Sequence, residues 1–352
     1  MAQHALRCTM RSYSILYACA ESGKWARRAG AVQSPLDENG EPTLTTAAGR
    51  LVLTPSNAEG ILARWLGASV RCTSVERLHG GMINSVFALS FDKPPHACVI
   101  KLSGDAGSPF AAEVRSLRVL KEVARLPVPE VYATAQARSA HEPAYLLLER
   151  LRGVPLGEAR LTPDRRAEVE DHLAGILLQL HSHTRDTYGP VGDGGFERWA
   201  DWFCPVFEAS LRDAAPRLAP ATRDAALAIL ARSPEALAAS GPPTLVHGDV
   251  WENNVMVAPE PEGWRVTGLL DPGAMYADVE FELAYVEVFG TGSAPFFGRY
   301  RAERPMRPGY ERRRLIYWLH TMLVHVAVFG DRHYVERAAT IVQELERACL
   351  LR

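Results

Sequence analysis

The stretch Leu245 Val246 His247 Gly248 Asp249 Val250 Trp251 Glu252 Asn253 Asn254 Val255 Met256 Val257, with Leu269 Leu270 Asp271 Pro272 after it, decides how this chain is read. A short apolar run delivers an Asp, an Asn follows five residues later, and a second Asp closes another apolar run. Phosphoryl transfer needs such a set. Asp249 can orient an attacking hydroxyl and take its proton, while Asn254 and Asp271 offer hard oxygen ligands for Mg²⁺ on nucleotide phosphates. Asn253 competes for the metal, and the five-residue spacing favours Asn254. Asp271 ends an apolar strand, where a carboxylate is poorly hydrated unless a cation stands beside it. Its other reading is a turn former before Pro272 and Gly273. His247 is read as a residue that orders the loop rather than as a proton carrier.

Upstream, Lys101 ends the run Ala97 Cys98 Val99 Ile100. A lysine on a strand buried on at least one face calls for a carboxylate or a phosphate. Glu113, one turn into the next helix, is the expected partner, and the two would hold the α and β phosphates of a nucleotide. By themselves they read as an edge-strand Lys and a solvated Glu; the downstream motif shifts the balance. Leu78 His79 Gly80 Gly81 Met82 Ile83 Asn84 Ser85 sets two glycines and two small polar residues between strands. Backbone amides there could approach phosphate closely, although a Gly-Gly hairpin turn has the same signature.

The chain has 352 residues, enough for two lobes and a sizeable core. Its 47% hydrophobic and 23% charged content is ordinary for a globular enzyme, and no apolar run reaches the roughly 18 residues of a membrane span. A formal charge of −2 leaves no basic field for nucleic acid. The six cysteines lie apart, at Cys8, Cys19, Cys72, Cys98, Cys204 and Cys349, with neither metal-ligand spacing nor the density of a disulfide scaffold, which fits a reducing cytoplasm. Residues 1–50 differ, with Arg7, Arg11, Lys24, Arg27 and Arg28 against one acid, Glu21, up to residue 36. They read as a disordered tail or a start placed too early, with an organelle transit peptide as the alternative.

Residues 51–150 are expected to form a nucleotide-binding lobe. Thr54 Pro55 Ser56 caps a helix carrying Ile61, Leu62, Trp65 and Leu66, with Gly67 to stop it. Strands over 85–91 and 97–102 flank the turn Asp92 Lys93 Pro94 Pro95, a helix follows over 109–124, and further strands over 130–135 and 144–149. After a hinge at 150–155, residues 151–352 turn mainly helical, over about 164–182, 196–214, 220–239, 279–288, 309–329 and 331–349. His181 and His183 close a helix, where histidine suits the last carbonyls better than it suggests a metal. Trp199, Trp202, Phe203 and Phe207 recur at helical spacing and read as core, with acceptor-site lining as the alternative.

These residues resemble the aminoglycoside phosphotransferase and fructosamine kinase group of kinase-like small-molecule phosphotransferases. His247 to Asn254 is similar to the fructosamine kinase loop His-Gly-Asp-Leu-Trp-x-x-Asn, with Val250 for Leu. Asp271 to Ala284, then Phe289 Gly290, is similar to that branch's next stretch. The resemblance spans roughly residues 56–345. It implies an α+β, two-lobe, protein-kinase-like fold, with a small antiparallel-sheet N-lobe and a larger helical C-lobe. It further implies Asp249 as the catalytic Asp, Asn254 and Asp271 as metal ligands, Lys101 and Glu113 as the phosphate-positioning pair, Gly80, Gly81, Asn84 and Ser85 in the phosphate loop, and adenine at the hinge near Glu149 to Leu151. The departures are Met82 for a Cys, Gly273 for Ala and Glu282 for Asp.

The expected activity is ATP- and Mg²⁺-dependent phosphorylation of a hydroxyl on a small sugar-like acceptor, a fructosamine or ketosamine first. An aminoglycoside or other antibiotic is the alternative, for which Asp278, Glu280, Glu282 and Glu287 could supply an acidic rim. A second alternative is a nucleotide-binding pseudokinase that regulates a partner. Neither nucleic acid nor a membrane is an expected partner, and oligomeric state has no sequence signal.

Overall fold

A computed structural model of the chain describes residues 51–78, 85–104, 109–138, 142–192 and 194–350. The described residues fall into two compact units. One runs up to Val114 and takes in Pro129–Leu151; the other holds Arg115–Val128 and everything from Arg152 onward.

The first unit is built on a five-stranded antiparallel sheet, ordered β1-β2-β3-β5-β4, from Cys72–Arg77 (β1), Ser85–Phe91 (β2), Ala97–Ser103 (β3), Val131–Ala135 (β4) and Ala144–Glu149 (β5). The β2–β3 hairpin turns where the Asp-Lys-Pro-Pro signal placed it, pairing Ser90 with Ala97 and Val86 with Lys101. Alternation drives Phe87, Leu89, Phe91, Cys98, Ile100 and Leu102 into a single apolar layer. The helix Pro55–Leu66 (α1) packs Ala58, Ile61 and Leu62 into the same layer. It starts at the Thr54 cap, whose hydroxyl accepts from Asn57 N, and stops at Gly67, which takes the left-handed conformation that glycine favours. The helix Ala111–Glu122 (α2) begins in this unit and carries Glu113 in its first turn.

The second unit is mainly helical. The expected helices stand at Pro163–Leu180 (α3), Trp199–Ala214 (α4), Pro220–Ala236 (α5), Val279–Val288 (α6), Tyr310–Val328 (α8) and Arg332–Leu350 (α9). One more, Ala294–Glu303 (α7), had no signal in the sequence, because Pro295 and Gly298 read as breakers. The proline occupies the first turn, where a missing N–H costs nothing, and Phe296, Phe297 and Tyr300 bury one face. Trp199, Trp202, Phe203 and Phe207 pack with Phe281 and Tyr317 in the core of this unit, the expected reading of that aromatic set.

Two small sheets sit among these helices. Thr244–Val246 (β8) pairs with Met275–Ala277 (β11), which also pairs with Gly189–Pro190 (β7). Val255–Glu260 (β9) pairs with Gly263–Leu269 (β10) on one side and Val154–Pro155 (β6) on the other. The loop from His247 to Asn254 leaves β8 and enters β9, and the segment holding Asp271 leaves β10 and enters β11. Strand pairing on both flanks therefore brings the two motif segments side by side.

Candidate active site

Gly248 turns the chain out of β8 with a φ of 85°, and a Cβ there would stand 2.5 Å from the Gly273 carbonyl oxygen. Only glycine fits both demands. Asp249 follows, 3% exposed. Its Oδ2 accepts from Asn254 Nδ2 at 3.0 Å, and its Oδ1 accepts from the Tyr285 hydroxyl at 2.5 Å. Asn254 also donates to the Asp249 carbonyl oxygen at 3.0 Å, which closes the loop on itself.

His247 is buried, and its Nδ1 accepts from Asp249 N at 3.3 Å, the loop-ordering role expected of it. Burial pulls its pKa down to about 4, against the opposing influence of the Glu282 and Asp271 carboxylates, so the ring is neutral and acts as an acceptor. Glu282 ties the loop to α6: its Oε1 accepts from Gly248 N at 2.6 Å, and its Oε2 lies 2.7 Å from His181 Nε2. His181 Nδ1 is in turn 2.7 Å from the Tyr300 hydroxyl.

Asp271 is joined to the loop through the backbone, since Leu270 N donates to Asn254 O at 2.8 Å. It adopts φ 53°, a left-handed conformation that Asp tolerates better than most side chains but that still costs about 1 kcal/mol or more. Such strain persists where the surroundings over-determine it. Because Asn254 spends its amide nitrogen on Asp249, its amide oxygen is turned away from the carboxylate. Asn253 Oδ1, by contrast, is packed against Gly157, where an added Cβ would lie 2.5 Å from it. The donor set of one amide oxygen and one carboxylate suits Mg²⁺, which keeps waters and phosphate oxygens for its remaining positions. Among the described residues no group of three or more His, Cys, Asp or Glu could hold a metal ion. A site with only one carboxylate and one amide does not require such a group.

In the sheet unit, Lys101 on β3 is 6% exposed, and its Nζ donates to Glu113 Oε1 at 2.6 Å. The pairing expected from sequence is formed. Glu149 ends β5, and its Oε2 accepts from Glu130 N at 3.1 Å. Leu151 lies just beyond, and Ser85 begins β2 as a buried residue. Gly80, Gly81 and Asn84 lie outside the described residues, as do residues 1–50.

The acidic residues considered for an acceptor rim are engaged elsewhere. Asp278 accepts from Arg307 at 2.5 Å and from the Tyr317 hydroxyl at 2.8 Å. Glu280 pairs with Arg313 at 2.6 Å, and Glu287 with Arg314 at 2.7 Å. Tyr285 and Glu282 had no reading in the sequence as partners of the loop from His247 to Asn254. Their helix is buried nearly all round although it carries three glutamates, and residues 36 and 34 positions away carry no local sign of contact.

Residues 74–316 match the family model described as the phosphotransferase enzyme family. The chain is 28% identical over 300 residues to a probable ketoamine kinase of Synechocystis, covering 82% of this chain and 94% of that one. It is 29% identical over 299 residues to a probable ketoamine kinase of Vibrio cholerae, covering 81% and 96%. A solved structure of a candidate fructosamine-3-kinase from Haemophilus somnus superposes with a TM-score of 0.66 at 20% identity, covering 82% of this chain and 96% of the other. At that identity the likeness is one of fold, and it upholds the kinase-like α+β expectation. No helix among the described residues is long and apolar enough to cross a membrane.

Proposed function

The chain belongs to the phosphotransferase enzyme family, and from that premise we propose that it transfers the terminal phosphoryl group of ATP to a hydroxyl of a ketoamine. The observation that carries this reading is the Asp249 carboxylate, buried and held on both oxygens in the loop that also bears Asn254. Asp249 aligns the acceptor hydroxyl and receives its proton as the oxygen bonds to phosphorus and the bond to the ADP oxygen breaks. Lys101, held by Glu113, neutralises phosphate oxygens of the nucleotide. Asn254 and Asp271 would hold Mg²⁺, which when bound screens the charge on the transferring group. Gly80, Gly81, Asn84 and Ser85 are assigned to the phosphate loop, and Glu149 and Leu151 to the adenine edge.

Two observations favour a ketoamine over an aminoglycoside. The relatives at 28% and 29% identity are named as probable ketoamine kinases. In addition, Asp278, Glu280 and Glu287 are neutralised by arginines and Glu282 is committed to the catalytic loop, so the acids that would greet a polycation are spent. The retained set of Asp249, Asn254, Asp271, Lys101 and Glu113 argues against a pseudokinase. The test is ATP and Mg²⁺ with a panel of ketoamines, aminoglycosides and related hydroxylated metabolites, read by mass spectrometry. Ketoamine phosphate should form with wild type and not with Asp249→Ala, and Asp271→Ala should weaken Mg-nucleotide binding in calorimetry. Identical product profiles for wild type and Asp249→Ala would sink the proposal.

A further inference from the structure

Among the described residues, two groups that hold the Asp249 carboxylate come from different segments of the chain. Asn254, on the same loop, donates to Oδ2 at 3.0 Å, and Tyr285, on α6, donates to Oδ1 at 2.5 Å. Burial, then the Asp249 charge, raises the Tyr285 pKa well above its usual 10, so the phenol remains a proton donor. Its ring is braced by Phe289, with centroids 4.8 Å apart. A hydroxyl donor at that distance uses the same acceptor sites on a carboxylate oxygen that a substrate hydroxyl or a water molecule would use.

We infer that Tyr285 is a positioning residue of the transfer step: its hydroxyl fills one hydrogen-bonding position on Asp249 Oδ1, fixes the carboxylate plane towards the acceptor, and denies that position to water. The inference builds on the phosphoryl-transfer reading above. A carboxylate oxygen accepts more than one hydrogen bond, so an acceptor hydroxyl binds beside the phenol. Water in the phenol's place would itself be a phosphoryl acceptor. Its oxygen would bond to the terminal phosphorus, the bond to the ADP oxygen would break with its electron pair, and the water proton would pass to Asp249. ATP would then end as ADP and free phosphate. Asn254 bonds the other carboxylate oxygen, Oδ2, and so does not fill the phenol's position.

Three proteins decide the matter: wild type, Tyr285→Phe, and Phe289→Leu, which loosens the ring's packing without touching Asp249. Steady-state transfer to the best acceptor is compared with ATP hydrolysis in Mg²⁺ alone. Tyr285→Phe should lower kcat about tenfold with the acceptor KM within about twofold, and should itself speed ATP hydrolysis about tenfold, so that hydrolysis relative to transfer rises about a hundredfold. Phe289→Leu keeps the phenol hydroxyl and should shift the ratio far less than Tyr285→Phe does. An unchanged ratio in Tyr285→Phe, an equal change in Phe289→Leu, or a raised KM with unchanged kcat overturns the positioning role. If wild type phosphorylates no acceptor, the transfer reading is what fails. Acceptor-free hydrolysis then decides Tyr285 alone, with faster hydrolysis in Tyr285→Phe supporting the role and equal hydrolysis removing it.

Discussion

Replacing Glu282 tests how far the loop that bears Asp249 depends on a carboxylate from another segment. Glu282 takes the Gly248 N–H at 2.6 Å, next to Asp249 in the chain, and meets His181 Nε2 at 2.7 Å. The resemblance expects Asp here, and a side chain one methylene shorter does not span both partners at these lengths. Hydrogen bonds to a charged group contribute about 1.5–3 kcal/mol each. Alanine at 282 removes both and leaves His181 and the Gly248 N–H buried without that partner, so Glu282→Ala should cost about 3–5 kcal/mol. At roughly 2–4 °C per kcal/mol, the thermal midpoint should fall by about 10 °C. Glu282→Gln keeps an oxygen for Gly248 and an NH₂ for the His181 ring, and should cost only about 1–2 kcal/mol. Urea midpoints measure both variants. Turnover in Glu282→Ala should fall about a hundredfold, because a small shift of Gly248 misaligns Asp249. A wild-type urea midpoint for Glu282→Ala would show that this buried network does not stabilise the fold. Wild-type kcat in the same variant would show that it does not place Asp249.

Lys101→Met should cut turnover by about a hundredfold, and Glu113→Gln should destabilise by removing the carboxylate charge that faces the buried Lys101 ammonium. The double variant should regain most of the stability lost in Glu113→Gln and none of the activity; recovery of activity would contradict a phosphate-positioning role. His320 offers a pH test remote from the chemistry. Among the described residues neither ring nitrogen has a hydrogen-bond partner, and the ring packs amid Phe203, Phe207 and Phe281. Burial, then the nearby His325, lowers its pKa from 6.5 to about 3. The unfolded chain binds this proton near pH 6.5 and the folded one only near pH 3, so the stabilisation is complete above pH 6.5 and is lost as pH falls towards 3. Between about pH 7.5 and 4.5, wild type should lose about 3 kcal/mol more than His320→Phe. Parallel urea midpoints across that range would remove His320 from the acid response.

Much of the frame follows from local pattern. The Asp249 to Asn254 spacing lies within one loop, and the helix and strand periods are local, so each could be read before any contact was known. Lys101 and Glu113 were legible as a pair because a strand-to-helix step brings them close and because a buried ammonium requires a carboxylate. The N-cap at Thr54 and the stop at Gly67 were legible for the same local reason. Helix α7 was not, since Pro295 and Gly298 carry breaker signals that only burial of Phe296 and Tyr300 overrides.

By itself the sequence determined which groups are on offer: the Asp249 and Asp271 carboxylates, the Asn254 amide, and the Lys101 ammonium with its counter-ion, at spacings that motif segments fix locally. Tertiary structure alone decided what each group is spent on. Tyr285 and Glu282 reach the loop that bears Asp249 across 36 and 34 residues, and His181 reaches Glu282 across 101. Asp278, Glu280 and Glu287 look available along the chain and are neutralised by Arg307, Arg313 and Arg314 in the fold. The physical reason is that a buried polar group must find its partner wherever packing puts one, and packing joins segments that no local period connects.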